Sequence, residues 1–157
     1  MKYYTLLLVI TLFIISCSKH QKKEEGEKDI KKEVLKAYNS MYNSYAKGTD
    51  EFFKYYEDDF LRVETSGKLN RGVKKPKMEW NNYLKTHSVD LENFDQPEMI
   101  ISPQQVITIG DFSEYFIDQK TKDSIYNRGV YIAAWKKQKD GSWKICMDTW
   151  HAGLDKE

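Results

Sequence analysis

The chain has 157 residues and carries 25 Lys plus Arg against 24 Asp plus Glu, a formal net charge of +1. Charge so evenly balanced builds no long-range positive field, which argues against a nucleic acid or other polyanion as partner. Two cysteines exclude a disulfide-stapled scaffold, and a chain of this length suits one hydrophobic core in one domain.

The N-terminus reads MKYYTLLLVITLFIISC, with Lys2 followed by an apolar run from Leu6 to Ile15 broken only by Thr11. As a helix that run is about 15 Å long, against a hydrocarbon core of ~30 Å, so it fits a signal peptide rather than a membrane-spanning helix. Its end, Ile14-Ile15-Ser16-Cys17, resembles the lipobox of bacterial lipoproteins, in which an aliphatic and a small residue precede a cysteine. The resemblance implies cleavage after residue 16 and a lipid on Cys17. It further implies an envelope protein anchored to a membrane outside the cytoplasm, the outer membrane being expected and surface display left open. An ordinary secretory signal with an incidental cysteine is the competing reading. Cleavage would remove one of the 25 basic residues, and acylation of Cys17 would leave Cys146 without a disulfide partner. Residues 17–28 are charged and lack any large apolar side chain, so they are expected to form a solvated tether. The domain itself is expected over residues 29–157.

From Asp29 to Lys47, apolar side chains at Ile30, Val34, Ala37, Tyr38, Met41, Tyr42 and Tyr45 recur every three or four residues and predict a helix, stopped at Gly48. Thr49, Asp50 and Glu51 favour the start of a second, short helix with Phe52, Phe53 and Tyr56 inward. FLRVET is then a strand candidate, followed by a loop from Ser66 to Gly72. Pro76 is placed to open a third helix, with Trp80, Tyr83, Leu84 and His87 on one face. Strands follow at Met99 to Ile101 and Val106 to Ile109, with Pro103 between them as a bulge or edge. Gly110-Asp111 reads as a turn before a strand from Phe112 to Asp118. The chain closes with strands from Ile125 to Lys137 and Trp143 to His151 around Asp140-Gly141. Helices first and consecutive strands afterwards predict α+β architecture, with a curved antiparallel sheet over the helices.

This order of elements resembles the nuclear transport factor 2-like superfamily, and within it the small SnoaL-like or DUF4440-type domains. The matching pieces are the helix ending at Gly48, YEDDFLRVE from Tyr56 to Glu64, IGD at Ile109 to Asp111, and the hairpin GVYIAAWKKQKDGSWKICMDTW. The resemblance implies a cone-shaped (cystatin-like) fold with a pocket at its open end, and a possible homodimer through the sheet. Fold alone selects no function in that superfamily. In its ketosteroid isomerases a carboxylate base follows an Asp-Asp pair, a position that falls here on Glu64. The two oxyanion donors, a Tyr and a protonated Asp, fall on Met41 and Ala133. With both donors missing, steroid-type isomerisation is disfavoured.

If Ala133 faces the pocket, alternation brings Tyr131 and Trp135 to the same side. A four-residue loop at Gln138 to Gly141 would then set Tyr131 opposite Asp148, with Cys146 and Trp150 on the same face. Glu64 and Asp148 are the candidate bases or acceptors for a ligand hydroxyl, because burial raises a carboxyl pKa toward neutrality. Tyr42, Trp80, Tyr131, Trp135 and Trp150 are the candidate ligand contacts, with core packing as the alternative for each. Cys146 is expected to be inert. His20, His87 and His151 make no metal-ligand pattern, and no cofactor or metal is expected. Three readings remain: a membrane-anchored binder of a small, largely apolar ligand; an isomerase, dehydratase or hydrolase using Glu64 or Asp148; and an envelope interaction module with a filled cone.

Overall fold

Val34, Tyr38 and Met41 stand one turn apart and are almost wholly buried, and they fix which side of the first helix, α1 (residues 25–45), meets the rest of the protein. The computed structural model describes residues 25–94 and 96–153. The expected signal segment, Cys17 and most of the expected tether lie outside the described residues. The last part of that tether, residues 25–28, is helical and exposed, so the helix begins ahead of Asp29.

A five-residue helix, α2 (Thr49–Phe53), buries Phe52 and Phe53. Tyr56, expected on the same helix, instead opens strand β1 (Tyr56–Val63), which starts four residues before the predicted Phe60. The short β2 (Leu69–Arg71) turns back on β1 before α3 (Lys74–Tyr83), which holds Pro76 in its first turn, where no backbone donor is missed. His87 is not on that helix: it begins β3 (His87–Phe94), a strand absent from the sequence reading.

Next come β4 (Glu98–Ile101), β5 (Gln105–Asp118), β6 (Ser124–Lys137) and β7 (Trp143–Ala152). They form one sheet in the order β2-β1-β7-β6-β5-β3, with β4 also paired to β5. All neighbours are antiparallel except β1 and β7, which run parallel. The α+β cone expected from the sequence is the fold observed. Among the described residues no helix is long and apolar enough to cross a membrane.

Three details of the sheet differ from expectation. Pro103 sits in the tight turn between β4 and β5, where Ser102 and Gln105 bond to each other, rather than at a bulge. Gly110-Asp111 is no turn, because β5 runs unbroken through it. Glycine is needed at 110 since a Cβ there would come within 2.9 Å of the Tyr38 hydroxyl, a close approach between sheet and α1. Finally, the β6–β7 loop is one residue longer than expected, pairing Lys137 with Trp143, and Cys146 bulges between Ile145 and Met147. Asp148 therefore lies opposite Ala133, and Trp150 opposite Tyr131. A shift of two residues preserves the face, so Tyr131, Asp148 and Trp150 stay on the same side. The bulge gives the inward place beside Trp135 to Ile145. The Cys146 thiol instead donates to the Ala134 carbonyl at 3.3 Å, and burial raises its pKa.

Candidate functional site

Period-two alternation along β5 sends Val106, Thr108, Gly110, Phe112, Glu114 and Phe116 to the concave face. Their partners on β6 are, in turn, Trp135, Ala133, Tyr131, Gly129, Asn127 and Ile125. At one end of this double stripe Val106, Ala133 and Trp135 are fully buried against α1 and make a closed floor. Toward the other end sheet and helices diverge, leaving a cavity of about 710 Å³ between them. Aromatic side chains dominate its wall: Tyr42 and Tyr45 from α1, Trp80 from α3, Phe112 and Phe116 from β5, Tyr131 from β6. Tyr45, Trp80 and Tyr83 stack face to face, with centroids 4.7 and 5.7 Å apart. At the rim stand Glu64, Arg71, Lys75 and Glu79, two of each sign.

Two polar centres interrupt this wall. In the first, the Arg62 guanidinium on β1 donates from Nε to Asp148 Oδ1 at 3.0 Å and from Nη2 to Oδ2 at 2.6 Å. Parallel pairing of β1 with β7 sets the two residues side by side. Asp148 is wholly buried, whereas the Arg62 side chain keeps 16% of its surface exposed and lines the cavity. Arg62 also lies over the Trp150 ring at 4.7 Å and the Phe60 ring at 5.3 Å. Burial works against its charge, yet the bonds and attraction to Asp148 carry its pKa above the ordinary arginine value. The Tyr131 hydroxyl donates to Asp148 Oδ2 at 3.4 Å and lies 3.0 Å from that of Tyr56. Burial raises the pKa of Tyr42, Tyr56 and Tyr131, so all three stay neutral donors at physiological pH.

The second centre is Glu114, 4% exposed and on the cavity wall. Its Oε1 accepts from Asn127 Nδ2 at 2.8 Å, and the Tyr45 hydroxyl donates to the same carboxylate. Burial pushes this carboxyl above the ordinary carboxylate value, while those two donors pull it back. Burial, then the nearby Glu114 charge, raises the Tyr45 phenol well above its ordinary value. Among the described residues no cation forms an ion pair with Glu114.

Of the residues singled out from the sequence, Tyr42, Trp80, Tyr131 and Trp150 line the cavity. Trp135 does not: it is fully buried in the floor, its Nε1 donating to Thr108 Oγ1 at 3.0 Å, and is a core residue. Glu64 lies one residue past the end of β1, at the rim, bonded to Asn70 and to Ser66. Asp148 faces inward but behind Arg62, which takes both its oxygens, so it is no free base. Of the two carboxylates expected to share one hollow, Glu64 lines the cavity and Asp148 does not. Sequence reasoning missed Arg62, Tyr45, Asn127 and Glu114. For Glu114 the signal was present, a lone acid in the alternating inward series V-T-G-F-E-F of β5. Among the described residues no cluster of three His, Cys, Asp or Glu could hold a metal.

No protein-family model matches the chain, and no curated protein matches it. Solved structures do. A nuclear transport factor 2-like superfamily protein from Salmonella enterica superposes with a TM-score of 0.68 at 13% identity, covering 83% of this chain and 95% of that one. A ketosteroid isomerase-like protein from Erwinia carotovora gives 0.68 at 11% identity, covering 79% and 95%. The association domain of C. elegans CaMKII gives 0.59 at 14% identity, covering 79% and 96%. The fold is therefore the nuclear transport factor 2-like cone, a scaffold shared by proteins of differing activity.

Proposed function

We propose that this chain is an envelope lipoprotein, held at a membrane by a lipid on Cys17, whose cone binds a small, largely apolar molecule. The cavity carries the binding half of this reading. Its volume of about 710 Å³ falls within the ~300–1,000 Å³ range of small-molecule sites, and its wall is aromatic with a few fixed polar groups. Such a wall gives contact area to an apolar body, while the neutral phenols and Arg62 orient any polar end. The space also speaks against an interaction module with a filled cone. An isomerase reading loses support because Met41 and Ala133, at the expected oxyanion-donor positions, are fully buried in the core. Glu64, at the expected base position, sits at the rim. The lipoprotein half rests on the apolar run and on Ile14-Ile15-Ser16-Cys17.

Calorimetric titration of the full chain in phosphatidylcholine vesicles with 2-naphthylmethanol, against empty vesicles, tests the cavity. Saturable binding is expected, and Leu91→Trp, which fills the space from β3, should abolish it. Absence of saturable heat in the wild type refutes the reading. For the anchor, mass spectrometry of the N-terminal peptide should find a diacylated Cys17 as first residue. Cys17→Ser should leave residues 1–16 attached, and an intact, unacylated N-terminus in the wild type would overturn the assignment.

A further inference from the structure

The two polar centres of the cavity differ in one respect that decides what they can recognise. Arg62 and Asp148 neutralise each other through two bonds. Among the described residues Glu114 is met by neutral donors alone, the Asn127 amide and the Tyr45 hydroxyl. Both donors point at the carboxylate, an arrangement that suits its ionised form. An ionised carboxylate offers about four lone-pair sites, so roughly two remain for a ligand. Glu114 is also flanked along β5 by Phe112 and Phe116, whose rings line the same space. The rim charges cancel, two acidic against two basic, so the unmatched charge of the cavity wall is this buried one.

From this arrangement we infer that the cavity is selective for an organic amine, an ammonium group borne on an aromatic or aliphatic body, with Glu114 as its counter-ion. This inference rests on the binding function proposed above and adds the ligand class. An ammonium supplies both charge and several donors, where a neutral hydroxyl supplies one donor and no charge. The phenyl faces beside Glu114 accept the cation's flank. An anionic ligand would be repelled by Glu114, and Arg62, the cation within the wall, already donates to both Asp148 oxygens. The amine's body would lie along the stacked Tyr45, Trp80 and Tyr83 toward the open end.

The test compares 2-naphthylmethylamine with its neutral counterpart 2-naphthylmethanol, by calorimetry on the full chain in phosphatidylcholine vesicles at neutral pH. The wild type should bind the amine about ten- to a hundredfold more tightly, as expected for a hydrogen-bonded charge pair out of water. Glu114→Gln should weaken the amine at least about tenfold more than the alcohol, and a cooperative thermal melt reports that the variant is folded. Equal affinity of the wild type for both probes overturns the amine inference while the apolar cavity stands, a comparison that needs no variant. Equal weakening of both probes in Glu114→Gln also overturns it, because Glu114 would then support the wall rather than the charge. If the alcohol binds the wild type and the amine does not, the amine inference falls alone; if neither probe binds, the cavity reading and the amine inference fall together.

Discussion

Arg62→Met and Asp148→Asn each break the buried ion pair by removing one charge while keeping most of the side-chain volume, yet their costs should differ. Asp148 is wholly buried, and without Arg62 it keeps only neutral hydroxyl partners among the described residues, Tyr131 at 3.4 Å and Tyr56. Removing one member of a buried pair costs about 3–5 kcal/mol, and Arg62→Met should lie in that range. Arg62 keeps 16% exposure and lines the cavity, so in Asp148→Asn it can turn to water there and still donate to the Asn oxygen. That variant should lose only the charge-assisted part of the bond, about 1.5–3 kcal/mol. The double variant should cost about 2 kcal/mol less than the sum of the two singles, since the second change removes a charge already stranded. Urea unfolding at neutral pH measures all three, and thermal melts should place Arg62→Met roughly 12–20 °C below the wild type at about 4 °C per kcal/mol. If Asp148→Asn proved the more damaging single change, or the two losses simply added, Arg62 would not be held by Asp148 as described.

Other perturbations follow from the same geometry. Glu114 has a carboxyl pKa raised above its ordinary 4.5, so the folded protein holds that proton more tightly than the unfolded chain. Stability is therefore lost as pH rises from about 4.5 through the folded value, and Glu114→Gln should melt higher than the wild type above that window and level with it below, by calorimetric melts across pH. Gly110→Ala should cost about 1–3 kcal/mol by forcing its Cβ against the Tyr38 hydroxyl, and the loss should shrink in a Tyr38→Phe background, measured by urea unfolding. Gly129→Ala should be far worse, because its Cβ would stand 1.9 Å from the His151 carbonyl oxygen and only movement of β7 relieves that, to be seen as loss of soluble, cooperatively folding protein.

The α1 stripe was legible because a helix against a sheet needs one apolar face, and Ile30 through Tyr45 supply it at three- and four-residue spacing. All of these residues are buried or half-buried as expected. The final hairpin was legible in its face, though not in its register, because Asp140-Gly141 marks the turn while a bulge at Cys146 leaves no mark in composition. Strand β3 was lost for a different reason. His87-Ser-Val-Asp-Leu-Glu-Asn-Phe does alternate, but Tyr83, Leu84 and His87 also continue a helical stripe, and short windows serve both periods. What ends α3 at Tyr83 is the pairing of His87 with Asp118 on β5, a contact between distant segments.

The same distinction separates the acids. Glu64 and Asp148 were chosen by position along a strand, which tells the face a side chain takes but not what it meets there. The partner that occupies Asp148 comes from β1, 86 residues earlier, through the parallel pairing of β1 with β7, and parallel neighbours carry no local turn signal. Glu114 could have been read without any long-range contact. Treating Gly110-Asp111 as a turn cut β5 in two and hid that Val106, Thr108, Gly110, Phe112, Glu114 and Phe116 are one continuous inward row. Within such a row a single acid is costly to bury unless something neutralises it, and Asn127 and Tyr45 supply bonds without charge. The glycine that resembled a loop residue is instead the site where the sheet passes close to Tyr38 on α1. Six residues beyond Trp135's partner the row has left the closed floor, and two further along Glu114 faces the open space, where a ligand rather than the protein can supply the missing positive charge.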